Sequence, residues 1–167
     1  MAAMLLPLVW LLMPAMGYFV VQKSTDVAQL VMAAQVPLTH AVRDAEAITS
    51  GTVTRAYIGS RRGWWGYVLV VQGQGGSQRL WVDPETGKIR AHGKGGLQRS
   101  LPANAMTLGA LIEAAERRVG GRAMSADGTY LDGRPALEVH VATADREVEV
   151  YLDVYTAETL VAVDERH

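Results

Sequence analysis

The four histidines are the side chains of this sequence best suited to proton transfer or metal binding. None has a second histidine or a carboxylate at the spacing of known zinc sites, and no H-E-x-x-H motif occurs. His140 follows Glu138 by two residues on a strand-like run, so both should point to one face, with Glu149 near them. This pattern is typical of a solvated surface histidine, and we predict no metal site. The histidines are His40, His92, His140 and His167.

Two aspartates, Asp83 and Asp153, could form an acid–base pair. General acid–base catalysis needs groups that converge within hydrogen-bond reach of one substrate atom. Each aspartate instead opens a turn of the form Asp-x-x-Thr, in which its carboxylate can accept from nearby backbone N–H groups. We therefore predict a structural role for the turn residues Asp83, Thr86, Gly87, Asp153 and Thr156.

Other catalytic signatures are missing from the sequence. The glycine-rich runs at 73–76 and 93–96 match no phosphate-binding fingerprint, and no serine lies in a G-x-S-x-G context. The chain has no cysteine, which excludes disulfides and thiol catalysis. We predict no catalytic residue, no cofactor and no enzymatic activity.

Similar residues recur along the chain at a spacing of 70. A fixed period indicates a duplicated structural unit. A unit of this length is near the size of a minimal domain. The pairs include Leu38 and Leu108, Ala45 and Ala115, Leu69 and Val139, Val71 and Val141, Trp81 and Tyr151, and Thr86 and Thr156.

Each unit begins with a helix-like pattern and continues with strand-like runs. Apolar residues recur at helical spacing from Leu38 to Ile48 and from Leu108 to Val119, with Thr107 as an N-cap. Three strand-like runs follow each helix: 52–58, 64–72 and 78–82, then 122–130, 137–141 and 148–152. The predicted fold class is α+β: two repeated units, each a helix packed on a three-stranded antiparallel sheet, preceded by an apolar N-terminal helix.

Residues 1–22 carry no charged side chain and are rich in Leu, Val, Met and Ala, which is typical of a membrane-directing segment. The sequence leaves a cleaved signal peptide and an uncleaved membrane anchor equally open. Both predict an exported protein, periplasmic or extracellular. The remaining predicted divisions are a connector at 23–35, a first domain at 36–92, a linker at 93–105 and a second domain at 106–163.

The net charge of −1 conceals two oppositely charged halves. Residues 35–100 hold nine Lys/Arg and four Asp/Glu, a sum of +5, and residues 101–167 hold six and twelve, a sum of −6. The halves should attract each other or offer different partner surfaces. The near-neutral total gives no support for nucleic-acid binding.

The turn motifs resemble those of the PepSY domain family. Segment 80–89 reads LWVDPETGKI, and segment 150–160 reads VYLDVYTAETL, in which Ala157 replaces the turn glycine. The resemblance extends from Pro37 to Val163. It implies a non-catalytic, exported protein without catalytic residues. It also implies a role in regulating or inhibiting peptidases.

The sheet face away from the first helix is the predicted partner site. Val68 and Val70 should point away from the helix, with Trp81 and Trp64 beside them, whereas the second unit has Glu138 and His140 there. Two explanations fit such a set of apolar residues: another part of the chain covers this face, or a partner protein docks on it. The predicted function is a protein-binding module of the cell envelope that regulates or inhibits a peptidase. The alternative is an envelope ligand or metal sensor domain.

Overall fold

The structure is a computed structural model, and it describes residues 25–96 and 99–165. Three helices and eight strands follow one another in these residues. The elements are α1 (Thr25–Ala33), α2 (Leu38–Thr49), β1 (Thr52–Arg61), β2 (Trp64–Gly73), β3 (Gly76–Val82), β4 (Ile89–Lys94), α3 (Leu108–Val119), β5 (Arg122–Leu131), β6 (Arg134–Ala142), β7 (Glu147–Asp153) and β8 (Thr159–Glu165).

Helices α2 and α3 form where the apolar spacing predicts them. The hydroxyl of Thr107 accepts a hydrogen bond from the backbone N–H of Ala110, which confirms the predicted N-cap. Gly120 ends α3 in the left-handed conformation, and Ser50 ends α2 in the same way. Ile48 lies off the buried face of α2 and is 65% exposed.

All eight strands belong to one antiparallel sheet in the order β4-β3-β2-β1-β5-β6-β7-β8. The first half of the fold (α2 and β1–β4) joins the second half (α3 and β5–β8) through β1 and β5. That pairing is short and aligns Arg55 with Asp127 and Ala56 with Ala126.

The predicted fold class, two repeated units that each pack a helix on three strands, is wrong. Four strands follow α2 and four follow α3, and the two sets of strands form a single sheet. The two strands that the sequence analysis did not predict are β4, whose composition resembles a linker, and β8, which follows the second turn motif. Each pairs along its neighbour, β3 or β7, through backbone hydrogen bonds. The apolar N-terminal helix predicted in 1–22 lies outside the described residues.

Helices α2 and α3 pack on the same face of the sheet, which we call the inner face. Its buried apolar side chains alternate along the strands, as Tyr67, Leu69 and Val71 do in β2 and Leu137, Val139 and Val141 do in β6. These residues and both helices belong to one hydrophobic cluster. The opposite side of the sheet, the outer face, carries the intervening residues.

The segment before α2 is attached to both halves. Val31 of α1 is fully buried against Met124 and Ala142 of the second half. The hydroxyl of Tyr67 donates to the carbonyl of Val36 over 3.0 Å, and burial raises the pKa of Tyr67 to about 12. The predicted connector is therefore packed structure from α1 onward.

Gly121, just before β5, lies very close to the backbone of Ala142 at the end of β6, and a substitution can test this contact. A Cβ placed there would lie 2.1 Å from the carbonyl oxygen of Ala142, so Gly121→Ala forces backbone to move. We expect a loss of ~1–3 kcal/mol in the free energy of unfolding, measured by urea denaturation. Gly75→Ala is the matched control, since no atom lies within 4 Å of its Cβ position. Equal stability of the two variants would contradict this packing.

Candidate functional site

The outer face of the second half carries a network of charged side chains centred on His140. Its Nδ1 lies 2.8 Å from Oε1 of Glu147, and its Nε2 lies 3.0 Å from Oε1 of Glu138. Glu138 is on β6 with His140, and Glu147 comes from β7. The exposed fractions of the side chains are 26% for His140, 30% for Glu138 and 15% for Glu147. The network is therefore partly shielded from solvent, which strengthens its electrostatic interactions.

Two carboxylates on opposite sides of the ring favour the charged imidazolium. The hydrogen bond to Glu147 is the main cause, and that to Glu138 adds to it, so the pKa of His140 rises to about 9. Desolvation acts in the opposite direction and is outweighed. At neutral pH, His140 is a cation held between two anions.

Glu149 completes a compact group of three. It lies directly across from His140 in the β6–β7 pairing. Each of these three residues offers one ligand atom, and the three atoms lie within 4.8 Å of one another. The residues are Glu138, His140 and Glu149. The hydroxyl of Tyr151 donates to Oε1 of Glu149, and this hydrogen bond raises the pKa of Tyr151.

A groove of about 330 Å³ opens beside Glu138 on the same face. Asp127 also lines it and pairs with Arg55 at 3.1 Å, across the junction between the two halves. Burial raises the pKa of Asp127, although Arg55 opposes that shift. The groove gives solutes a path to the Glu138 carboxylate.

The outer face of the first half carries a group of aromatic and basic side chains, which we call the aromatic–basic patch. By strand alternation and register, its members share the outer face. The ring centroids of His92 and Trp81 are 5.7 Å apart. Nη1 of Arg61 lies 3.5 Å from Nδ1 of His92. The patch consists of Arg61, Trp64, Trp81, Arg90 and His92.

The four residues predicted as a partner site have different environments. Val68 and Val70 are only 3% and 2% exposed. Tyr57 and Trp81 flank Val68 on the neighbouring strands, and Arg55 and Arg79 flank Val70. Trp81 is half-buried, whereas Trp64, next to the β1–β2 turn, is 78% exposed. Trp64 and Trp81 therefore offer contact area that the two valines lack.

Glycine at position 66 lets the Trp81 ring lie close to the sheet. A Cβ on Gly66 would lie 2.6 Å from Cε2 of Trp81, and one on Gly59 would lie 3.4 Å from its Cζ3. The indole thus covers backbone that has no side chain of its own, beside Val68.

The predicted turn residues occupy equivalent places in the two halves. Oδ1 of Asp83 accepts from the backbone N–H groups of Glu85 and Thr86, and Oδ1 of Asp153 accepts from those of Tyr155 and Thr156. These hydrogen bonds lower the pKa of Asp153. At the equivalent later position, Gly87 has φ +70° and Ala157 has φ +59°. Both turns therefore contain a residue in the left-handed backbone conformation. Glycine adopts this conformation without the strain that it causes in alanine.

Sequence reasoning placed Glu138 and His140 together, with Glu149 near, but missed Glu147. The available signal was the alternation of Glu147, Val148 and Glu149, which puts both glutamates on one face of β7. Spacing along the chain does not reveal that His140 and Glu147 meet, because their contact depends on the β6–β7 register.

Comparison with known proteins gives little to add to this geometry. No model of a known protein family matches the chain, and no curated protein matches its sequence. Among solved structures, a candidate lipoprotein from Clostridium difficile 630 is similar with a TM-score of 0.43 and 12% identity, over 79% of this chain and 95% of that one. A likeness at this level carries no argument about function. Membership of the PepSY family stays a prediction.

Within residues 25–96 and 99–165, no helix is both long and apolar enough to cross a bilayer. The apolar run at 1–22 lies outside these ranges.

His140 should make stability depend on pH. Its pKa is about 9 in the folded protein against 6.5 for the free side chain, so the stabilisation is complete below pH 6.5 and is lost as the pH rises through 9. We expect urea denaturation in metal-free buffer to show a falling free energy of unfolding across that interval. His140→Gln should flatten the fall, with His40→Gln as the matched exposed control. The same slope in wild type and His140→Gln would contradict the assignment.

The packing of Trp81 on Gly66 can be tested by a double-mutant cycle. Trp81→Ala should lower the free energy of unfolding by ~1–2 kcal/mol, because a half-buried indole loses its contacts with the sheet. Gly66→Ala should also destabilise, since its Cβ would displace the indole. If the two residues act through one contact, the double variant should lose less than the sum of the single losses. Strict additivity in chemical denaturation would show that they act independently.

Proposed function

We propose that this chain is a non-catalytic, exported protein-binding module of the cell envelope, and that the aromatic–basic patch is its contact surface. The partner is a protein with an acidic rim around an apolar centre. The observation that carries the proposal is the exposure of Trp64 on the sheet face away from α2 and α3. An indole that is 78% exposed leaves apolar area in water, which a partner could remove.

The composition of the patch supports this function. Aromatic residues and arginine are enriched among the residues that dominate binding energy at protein interfaces. Trp64 pairs with Arg61 at the end of the β1–β2 ladder, and Trp81 pairs with Arg90. Cationic groups around the indoles complement an anionic partner surface and speed its encounter.

Location and partner class rest on the sequence. The uncharged segment 1–22 supports export, with or without an anchor in the cytoplasmic membrane. The resemblance to PepSY domains supports a peptidase as the partner, which the module would inhibit or restrain.

Capture of the partner tests the proposal. The full chain is immobilised on a support and incubated with detergent-solubilised envelope proteins. The captured proteins are then identified and assayed for peptidase activity. We expect a peptidase whose activity falls on adding the full chain. Trp64→Ala should weaken its binding by ~2 kcal/mol, a loss of about 30-fold in affinity, with little change in folding stability.

Tyr155→Ala is the matched control, because Tyr155 is an exposed aromatic residue in the β7–β8 turn, away from the patch. The proposal fails if Trp64→Ala and Tyr155→Ala capture the same proteins equally well. It also fails if Trp64→Ala abolishes only self-association, which would assign the patch to a second copy of the chain.

An envelope metal sensor is the second candidate function. The observation that favours it is the group formed by Glu138, His140 and Glu149 on the other half of the outer face.

A further inference from the structure

We propose that Glu138, His140 and Glu149 form a binding site for one divalent transition cation, with Zn²⁺ as the ion that their donor atoms fit best. The inference deepens the second candidate function and is independent of the aromatic–basic patch. Its failure would therefore leave partner binding through Trp64 untouched.

The three ligand side chains converge from two adjacent strands. Nε2 of His140 is 3.0 Å from the Glu138 carboxylate, and Glu149 is paired directly across from His140. All three donor atoms lie within 4.8 Å of one another. Donor atoms around a tetrahedral zinc ion are ~3.4 Å apart, so closure requires only a small rotation of flexible glutamate side chains.

A fourth residue orients the imidazole for this role. Nδ1 of His140 points at Glu147, 2.8 Å away, which leaves Nε2 directed at Glu138. A histidine that ligates a metal through one ring nitrogen usually donates its other N–H to a carboxylate, which fixes the tautomer and the ring plane. The Glu147 side chain is 15% exposed against 30% for Glu138, so it is the better shielded of the two carboxylates that contact the ring.

The second carboxylate ligand is also supported from behind. The hydroxyl of Tyr151 donates to Oε1 of Glu149, so one oxygen is held while the other stays available. Ligating carboxylates commonly have such hydrogen-bonded partners. Both Glu149 and His140 thus have the outer support that a metal ligand needs.

Charge balance favours a cation at this place. Glu138 and Glu149 place carboxylates beside Nε2 of His140, and Glu147 lies behind the ring, so a divalent cation would offset the excess of negative side chains. Because a ligating histidine is neutral, any proton on Nε2 leaves to solvent when Nε2 donates its lone pair to the metal.

The donor set selects among cations. One imidazole nitrogen with two carboxylate oxygens suits Zn²⁺ and its transition-metal neighbours, whereas Ca²⁺ and Mg²⁺ prefer oxygen ligands throughout. Three protein ligands leave a coordination position open, which water can fill.

Calorimetric titration of the untagged, chelator-stripped full chain with ZnCl₂ tests the site. We expect one saturable Zn²⁺ per chain and much weaker binding of Ca²⁺. Glu149→Gln and Glu138→Gln should each weaken Zn²⁺ binding at least tenfold, and His140→Gln should abolish it. Glu147→Gln should weaken it ~10–100-fold, because the ring loses its orienting partner. Glu85→Gln, the same change on an exposed turn of the first half, is the matched control.

Nitrogen-15 NMR of the imidazole rings adds a readout that does not depend on how the variants fold. Zn²⁺ should shift Nε2 of His140 in the wild-type chain and leave its Nδ1 protonated. The proposal is overturned if wild type shows no saturable binding, if His140→Gln retains wild-type affinity, or if Glu85→Gln loses as much affinity as Glu149→Gln. A Zn²⁺-induced shift confined to other histidines would overturn it as well.

Discussion

The short pairing of β1 with β5 is the interaction on which the rest of this structure depends. Only two aligned residue pairs connect the two sets of strands, yet they combine eight strands into one sheet. On the inner face, the small side chains of Ala56 and Ala126 meet and are completely buried. On the outer face, Arg55 meets Asp127 in an ion pair. Both charges are 40% exposed, so the pair contributes little to stability and serves mainly to match the two halves electrostatically.

Because a strand alternates its side chains, one sheet supports two independent tasks. The inner face is a single apolar core beneath α2 and α3. The outer face is divided by charge, with arginines and tryptophans on one half and glutamates around His140 on the other. The repeated order of helix and strands in the two halves therefore hides a difference in chemistry, since equivalent positions such as Trp81 and Tyr151 have unlike neighbours. Partner binding and cation binding can coexist on such a surface.

The candidate sites show how neighbours decide what a side chain can do. Trp64 and Trp81 both lie on the outer face, but Gly66 allows the Trp81 ring to lie against the sheet while Trp64 stays exposed. His140 would be an ordinary surface histidine without Glu147. The carboxylate across the β6–β7 hairpin shields and charges the ring, and the same contact directs Nε2 toward Glu138.

The sequence by itself determined the local features. Helices α2 and α3, the Thr107 cap and the inward alternation of β2 and β6 arise from interactions between residues a few positions apart, so periodicity reveals them. The tertiary structure alone decided that the halves form one sheet, that β4 and β8 extend it, and that Glu147 reaches His140. The physical reason is that strand pairing is made by backbone hydrogen bonds, which are common to nearly all residues. The segment 89–94 can therefore pair along an edge without any side-chain pattern that predicts it.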